Sequence, residues 1–503
     1  MDIRVTTIEF EAEVAGMQLA VEGAVITNRV NDIPTIELQC APSNGGSSTA
    51  LRPNVVTPSL SDFASLYNKL SEAADGMSQT GHVRIRTKVG KKGVKNESLE
   101  LKNWVLVGVG LSSVSATKAP YMTVILQHPI CKLTKVGSIY ETVKAKSQVA
   151  IDMAIAGAED PIQIMEHVYS CMKGGYVEYW PYSSASEKNS EVPSSFRTRL
   201  GSGDFAPSKY LTFKNDGGGG IFLQSKLEDA ASLMPIAIGR HVMPSAGCSS
   251  TWDVLVNMSG TLLLSITQDS SNNYFNDKLV LEPTQPWKKC GVTLDASDCS
   301  QTTLIGQDPF KVCGVMVNKF GVYNQMVTLG SFEAKERNEQ QKYSPYFYAP
   351  EEPVNADGRI LMVDAPSVLQ TMLTIDAGYG GGKISLMAEQ TNTSVKTAFD
   401  SAISTYAQAV YETSVLSLRK ATAVMVLKFG DKDGNAILPG NTCKFVSNGR
   451  ALYYGYITSV VHNLSTAGGN STVVSMTYAR PDSGYKLNGN TVIAAGSPNA
   501  AYT

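Results

Sequence analysis

The sequence predicts an α+β fold that is mainly β: antiparallel β-barrels with short helices and a mixed middle region. Three observations predict it. Both ends of the chain alternate apolar and polar residues with a period of two, one helix-period segment interrupts the first strands, and the period changes after about residue 137. The 503 residues are 43 % hydrophobic, enough apolar material for several cores. Composition and period divide the chain into an N-terminal barrel domain (1–137), a helical segment with a long polar loop (138–220), a mixed α/β middle (221–390), and a helix plus a C-terminal β-domain (391–503).

The first strand is "TIEFEAEV". Ile8, Phe10, Ala12 and Val14 alternate with Glu9, Glu11 and Glu13, so one face is apolar and the other acidic. In "HVRIRTKV", Val83, Ile85 and Val89 alternate with Arg84, Arg86 and Lys88, which gives a basic face. The two faces are complementary. Glu9, Glu11, Glu13, Arg84, Arg86 and Lys88 are therefore the candidate subunit or partner interface, with solvated cross-strand ion pairs as the plainer reading.

Between these strands, Phe63, Leu66, Tyr67 and Leu70 recur at helical spacing, with Ser61 or Asp62 as N-cap and Gly76 as stop. Two more strands follow, within "LELKNWVLVGVGLSSV" and "APYMTVILQHPI". Beyond them, 138–175 reads as two helices, 179–220 as a polar excursion and 392–418 as a helix. "ATAVMVLKFG", "ALYYGYITSVVHNLS" and "STVVSMTYARP" then restore strand character.

Chemistry leaves little trace. Lys and Arg number 43 against 45 Asp and Glu, a net charge of −2, so the overall field implies no polyanionic partner, and no specific nucleic-acid binding is expected. The N-terminus lacks the apolar core of an export signal and no apolar run is long enough for a membrane span, so assembly in a cytoplasm without a membrane partner is expected. "DAGYGGGKIS" fails as a phosphate loop: Ala377 replaces the first glycine and Ile384 the hydroxyl residue. "GDKDGNA" offers Asp431 and Asp433 but no distal glutamate, and reads as a tight turn at Asp433-Gly434 rather than a calcium loop. The eight cysteines form no CxxC pair and read as buried thiols, with a disulfide among Cys290, Cys299 and Cys313 left open. Cys248 and Ser249 lie in a turn without a nucleophile-elbow pattern. No catalytic, cofactor or metal residue is assigned, and the chain is read as non-enzymatic.

Two stretches carry a resemblance. "ITNRVNDIPTIELQ", with Asn31, Ile33, Pro34, Ile36 and Leu38, resembles an early strand pair of baseplate hub proteins from contractile phage tails and related injection systems. "YYGYITSVVHNLSTAGGNSTVVSMTYARP", with Tyr454, Gly455, Thr458, Val460, His462, Thr472 and Tyr478 to Pro481, is similar to their closing hairpin. The resemblance implies a tube-like β-barrel used twice per chain and a homotrimer with a central channel. It implies a structural protein of the virion tail, joining a hexameric tail tube or tube initiator to a trimeric spike and meeting baseplate wedge proteins. The chain shows no long β-helical repeat, so the spike is expected to be a separate protein. Three other readings stay open: a tail-tip or distal tail protein of a non-contractile tail, a cell-wall hydrolase with its site in 220–400, and a glycan-binding module around 341–353.

Overall fold

Alternation decides which side of each strand is buried, and the buried sides decide how the strands assemble. In the computed structural model of the chain, the described residues are 6–41, 63–89, 97–112, 121–134, 209–213, 250, 252–253, 255–256, 259, 264–268, 278–284, 291–305, 312–318, 346–348, 359–364, 419–481, 485–487 and 490–493. They are mainly β, in agreement with the sequence reading. The helices expected in 138–175 and 392–418, the polar excursion of 179–208, the glycine-rich loop, and Cys171, Cys248, Ser249 and Cys290 lie outside the described residues.

The N-terminal strands are β1 (Thr6–Val14), β2 (Met17–Leu19), β3 (Val21–Arg29) and β4 (Thr35–Cys40). Helix α1 (Ala64–Ala74) precedes β5 (Thr80–Val89), β6 (Ser98–Ser112) and β7 (Tyr121–Gln127). The inward residues of all seven strands share one core with Phe63 and Leu70 of the helical segment. Each fully buried Leu or Ile there contributes about 1.5–3 kcal/mol. Phe63 stands at the N-cap position of α1 and makes no side-chain capping hydrogen bond, and the expected caps Ser61 and Asp62 lie outside the described residues. Its end is as expected, because Gly76 takes φ +76, which other residues adopt only with strain.

The middle of the chain supplies β8 (Leu211–Phe213), β9 (Leu264–Gln268), β10 (Leu279–Pro283), β11 (Val292–Asp295), β12 (Cys299–Ile305), β13 (Val312–Asn318), β14 (Tyr346–Tyr348) and β15 (Arg359–Asp364). The last part supplies β16 (Lys420–Val426), β17 (Thr442–Ser447), β18 (Arg450–Ser465) and β19 (Ser471–Pro481). Strands β8, β10 and β9 form one small sheet and β14, β13 and β15 another.

Tyr485–Leu487 and Asn490–Ile493 pair as a two-stranded sheet, and the remaining strands join a 13-stranded sheet ordered β12-β16-β19-β18-β3-β4-β7-β6-β5-β1-β2, with β17 and β11 attached beside the first half of β18. A second core, from Val292 and Leu294 to Met476 and Ala479, packs under β11, β16, β17, β18 and β19. The sheet thus carries two lobes, each with its own core, and β3 and β18 join them edge to edge. Cys40, Cys131 and Cys443 are buried thiols and Cys299 a half-buried one, none of them in a disulfide. Among the described residues, no helix is long and apolar enough to cross a membrane.

Candidate functional site

The two stretches that carry the family resemblance meet at the junction of the lobes. Strand β18 is long and bent, with register shifts between Tyr454 and Tyr456 and between Ile457 and Ser459. Its first half pairs with β17 and its second half, from Ser459 opposite Arg29 to Ser465 opposite Gly23, pairs with β3. A β-bulge bends a strand and re-aims its side chains, which lets one strand serve both lobes. Gly455 leaves little room there: a Cβ would stand 3.1 Å from the Cβ of Met476, tighter than an ordinary contact.

The turn after β3 extends this junction. Asn31 sits at φ +58, a conformation asparagine tolerates better than most residues. Its N–H donates to the Ile266 carbonyl (2.9 Å) and its Oδ1 accepts from the Ile266 N–H (2.7 Å), clasping β9 from both sides. Asp32 Oδ1 accepts from the Ile33 N–H, and the Pro34 carbonyl accepts from the His128 N–H. From β18, the Tyr456 hydroxyl donates to Ser265 (3.3 Å), so the small sheet is seated against both resemblance-bearing segments.

A second tie crosses the lobes through a buried polar node. Glu97 Oε2 accepts from the Phe429 N–H (2.8 Å), and Leu427 and Phe429 complete the first core. Burial raises the Glu97 carboxyl, opposed by that N–H and by Lys428. Next to it, the Thr472 hydroxyl donates to the Lys428 carbonyl (2.9 Å) and accepts from the Lys428 N–H (3.0 Å). That hydroxyl has one proton, already given, so His462 Nδ1, 2.9 Å away, is the donor and carries the ring proton. Burial lowers the His462 pKa to about 3, so the ring is neutral, with its face edge-on to Phe429. The Lys428 ammonium pairs with Asp298.

Asp431 is a turn residue, as the sequence implies. Its carboxylate accepts from the N–H groups of Thr293, Asp433 and Asn435 and from Asn435 Nδ2, at 2.9–3.1 Å. Gly434 takes φ +88 between bridged Gly430 and Ala436. An oxygen pair so fully engaged by N–H donors has no lone pair directed at a cation.

The charged face assembles from β1, β5 and β6. The ladder sets Glu9 opposite Arg86, Glu11 opposite Arg84 and Glu13 opposite His82. Arg84 reaches Glu11 (3.4 Å) and Glu100 (2.7 Å), and Arg86 reaches Glu11 (3.1 Å). The Glu13 carboxylate accepts from Gln18, while Lys88 stands opposite Thr7 with its side chain outside the described atoms. Glu100 is the member the alternation did not single out, and hydrogen bonding from Arg84 holds its pKa at about 2. Glu97 was missed as well: nothing about a glutamate at a strand's start announces that its partner is an N–H 332 residues away.

No protein-family model matches the chain, and no curated protein does. Among solved structures it is similar to a tail protein from Neisseria meningitidis, with 9% identity over 94% of this chain and 96% of that one, at a TM-score of 0.43. It is similar to a 43 kDa tail protein of prophage MuSo2 from Shewanella oneidensis, with 9% identity over 93% and 98% and a TM-score of 0.42. A third is an E. coli component of the type VI secretion system, described as similar to the phage T4 tail proteins gp27 and gp5. There the identity is 8% over 94% and 76%, at a TM-score of 0.35.

Proposed function

We propose that this chain is a non-enzymatic structural protein of a phage-type tail, the baseplate hub that joins a hexameric tube to a trimeric spike. The observation that carries the reading is the pair of β-lobes joined edge to edge by β3 and β18, each with its own core. Three such chains offer one lobe to each position of a six-fold tube while keeping the three-fold symmetry of a spike. The residues of the family resemblance support it, because they build that junction: Asn31 clasps β9, Gly455 lies at the first register shift of β18, and His462 with Thr472 locks the closing hairpin. Virion location, tube, spike and wedge contacts follow from the same reading.

Glu9, Glu11, Glu13, Arg84, Arg86 and Lys88 are proposed to fix the β1–β5 register and to face a neighbouring subunit or partner. Reversing Arg84 and Arg86 to glutamate sets like charges opposite Glu9 and Glu11, and should both lower stability and impair assembly. A variant that assembles normally contradicts the interface role. The hub reading itself is tested by imaging the purified assembly, which should show six similar lobes around a central opening; two-fold or four-fold particles refute it.

A further inference from the structure

The first lobe does not complete its core from its own part of the chain. Leu427 and Phe429, which follow β16, and Leu464 of β18 are buried in it. Between the two inserted side chains, Lys428 turns back to the second lobe. The Thr472 hydroxyl of β19 bonds both its N–H and its carbonyl (3.0 and 2.9 Å), and its ammonium pairs with Asp298 in the short helical turn Ala296–Asp298. The Phe429 carbonyl accepts from the N–H of Ile437, a residue of the second core (2.9 Å). Residues 427–429 are thus fixed on one lobe while their apolar side chains fill the other.

The grip continues into the charged face. Glu97, whose carboxylate accepts from the Phe429 N–H (2.8 Å), lies just beyond the last β5–β6 ladder pair, Arg86 with Ser98. Its main chain is tied to Thr87: its carbonyl accepts from the Thr87 N–H (2.9 Å) and hydroxyl (3.1 Å), and its own N–H donates to that hydroxyl (2.9 Å). Thr87 is buried between Arg86 and Lys88 in β5, and the adjacent ladder pair sets Glu9 of β1 opposite Arg86. Without residues 427–429, the half-buried Glu97 carboxylate loses this N–H donor and the first core loses two large side chains. These are the conditions under which the end of a strand pair opens locally.

We infer that residues 427–429 are a strap through which the C-terminal lobe holds the charged β1–β5 face in register, so that the face is fit to meet a partner only once the C-terminal strands have docked. N-terminal domains fold first during synthesis, and such a strap keeps a first lobe without its second from presenting a finished interface. The inference rests on the reading of this face as an interface, and the test separates the two.

Peptide-resolved hydrogen exchange on the full-length protein reads the strap directly. Phe429→Ala should speed exchange in 83–89 and 97–101 about tenfold or more, while 122–126 in β7 and 473–476 in β19 stay within about twofold of the native protein. Glu97→Ala removes the acceptor and leaves both cores filled, so it should fold and speed exchange in the same two segments; where Phe429→Ala does not fold, Glu97→Ala decides alone. Unchanged exchange in 83–89, or an equal rise across both lobes, overturns the strap and leaves the hub standing.

Light scattering reads the consequence for assembly. Glu97→Ala should form the three-chain particle less completely than the native protein under the same conditions. Full assembly with a loosened 83–89 overturns the claim that the face must be held in register. Exchange as expected, with no ring formed by the native chain, overturns the hub reading and leaves the strap in place.

Discussion

Asn31 does two things that can be separated by mutation: it occupies a left-handed backbone position and it accepts a hydrogen bond from Ile266. Asn31→Gly keeps the first and loses the second, while Asn31→Ala loses both and should cost about 1–3 kcal/mol. Urea unfolding checks the order, Ala worse than Gly; equal costs would mean that the backbone position carries no strain. His462 makes a pH prediction. Its pKa is depressed by burial to about 3, so in mild acid the unfolded chain takes up a proton that the fold refuses. Its contribution is complete above about 6.5, the ordinary histidine value, and is lost as pH falls toward 3, at on the order of 1 kcal/mol per pH unit. Replacing it with asparagine, which does not titrate, should flatten this part of the stability profile, and an unchanged slope would contradict the assignment. Both residues stand in the stretches legible from sequence, but their partners do not: Asn31 meets Ile266 at a separation of 235 residues.

Among the elements, close approach at Gly440 positions β9. At φ +89, a Cβ there would stand 2.6 Å from Cγ2 of Thr267, so Gly440→Ala should destabilise by about 2–3 kcal/mol. Adding Thr267→Ser removes that methyl and should recover part of the loss in a thermal melt. No recovery would mean that backbone strain alone sets the cost. The strands β1, β4, β5 and β7 were readable because each alternates with one buried face, whereas β3 breaks the alternation at Gly23 and Ala24, both buried. The bend of β18 was not, since a bulge breaks the parity on which such reading depends and Gly455 signals it only weakly. The opposed charges of β1 and β5 were legible as complementary, and the ladder makes them direct neighbours; charge alternation on two strands of similar length constrains their register strongly.

At the scale of the molecule, the periodicity of a strand states which side is buried and is silent about which strand lies beside it. That is why β-structure at both ends of the chain was legible while their union was not: Glu22 and Thr466, 444 residues apart, sit hydrogen-bonded at the end of the β3–β18 ladder. A chain whose two lobes are fused in this way has open sheet margins at β12 and along part of β1 among the described residues, and closing a ring covers such edges. The most direct test of this account is the solution mass of the purified full-length chain by light scattering, with its spike added if the chain alone stays small. The account predicts a particle containing three copies of the 53.9 kDa chain. A chain that remains monomeric with and without the spike, or one that closes as a dimer or hexamer, would contradict it.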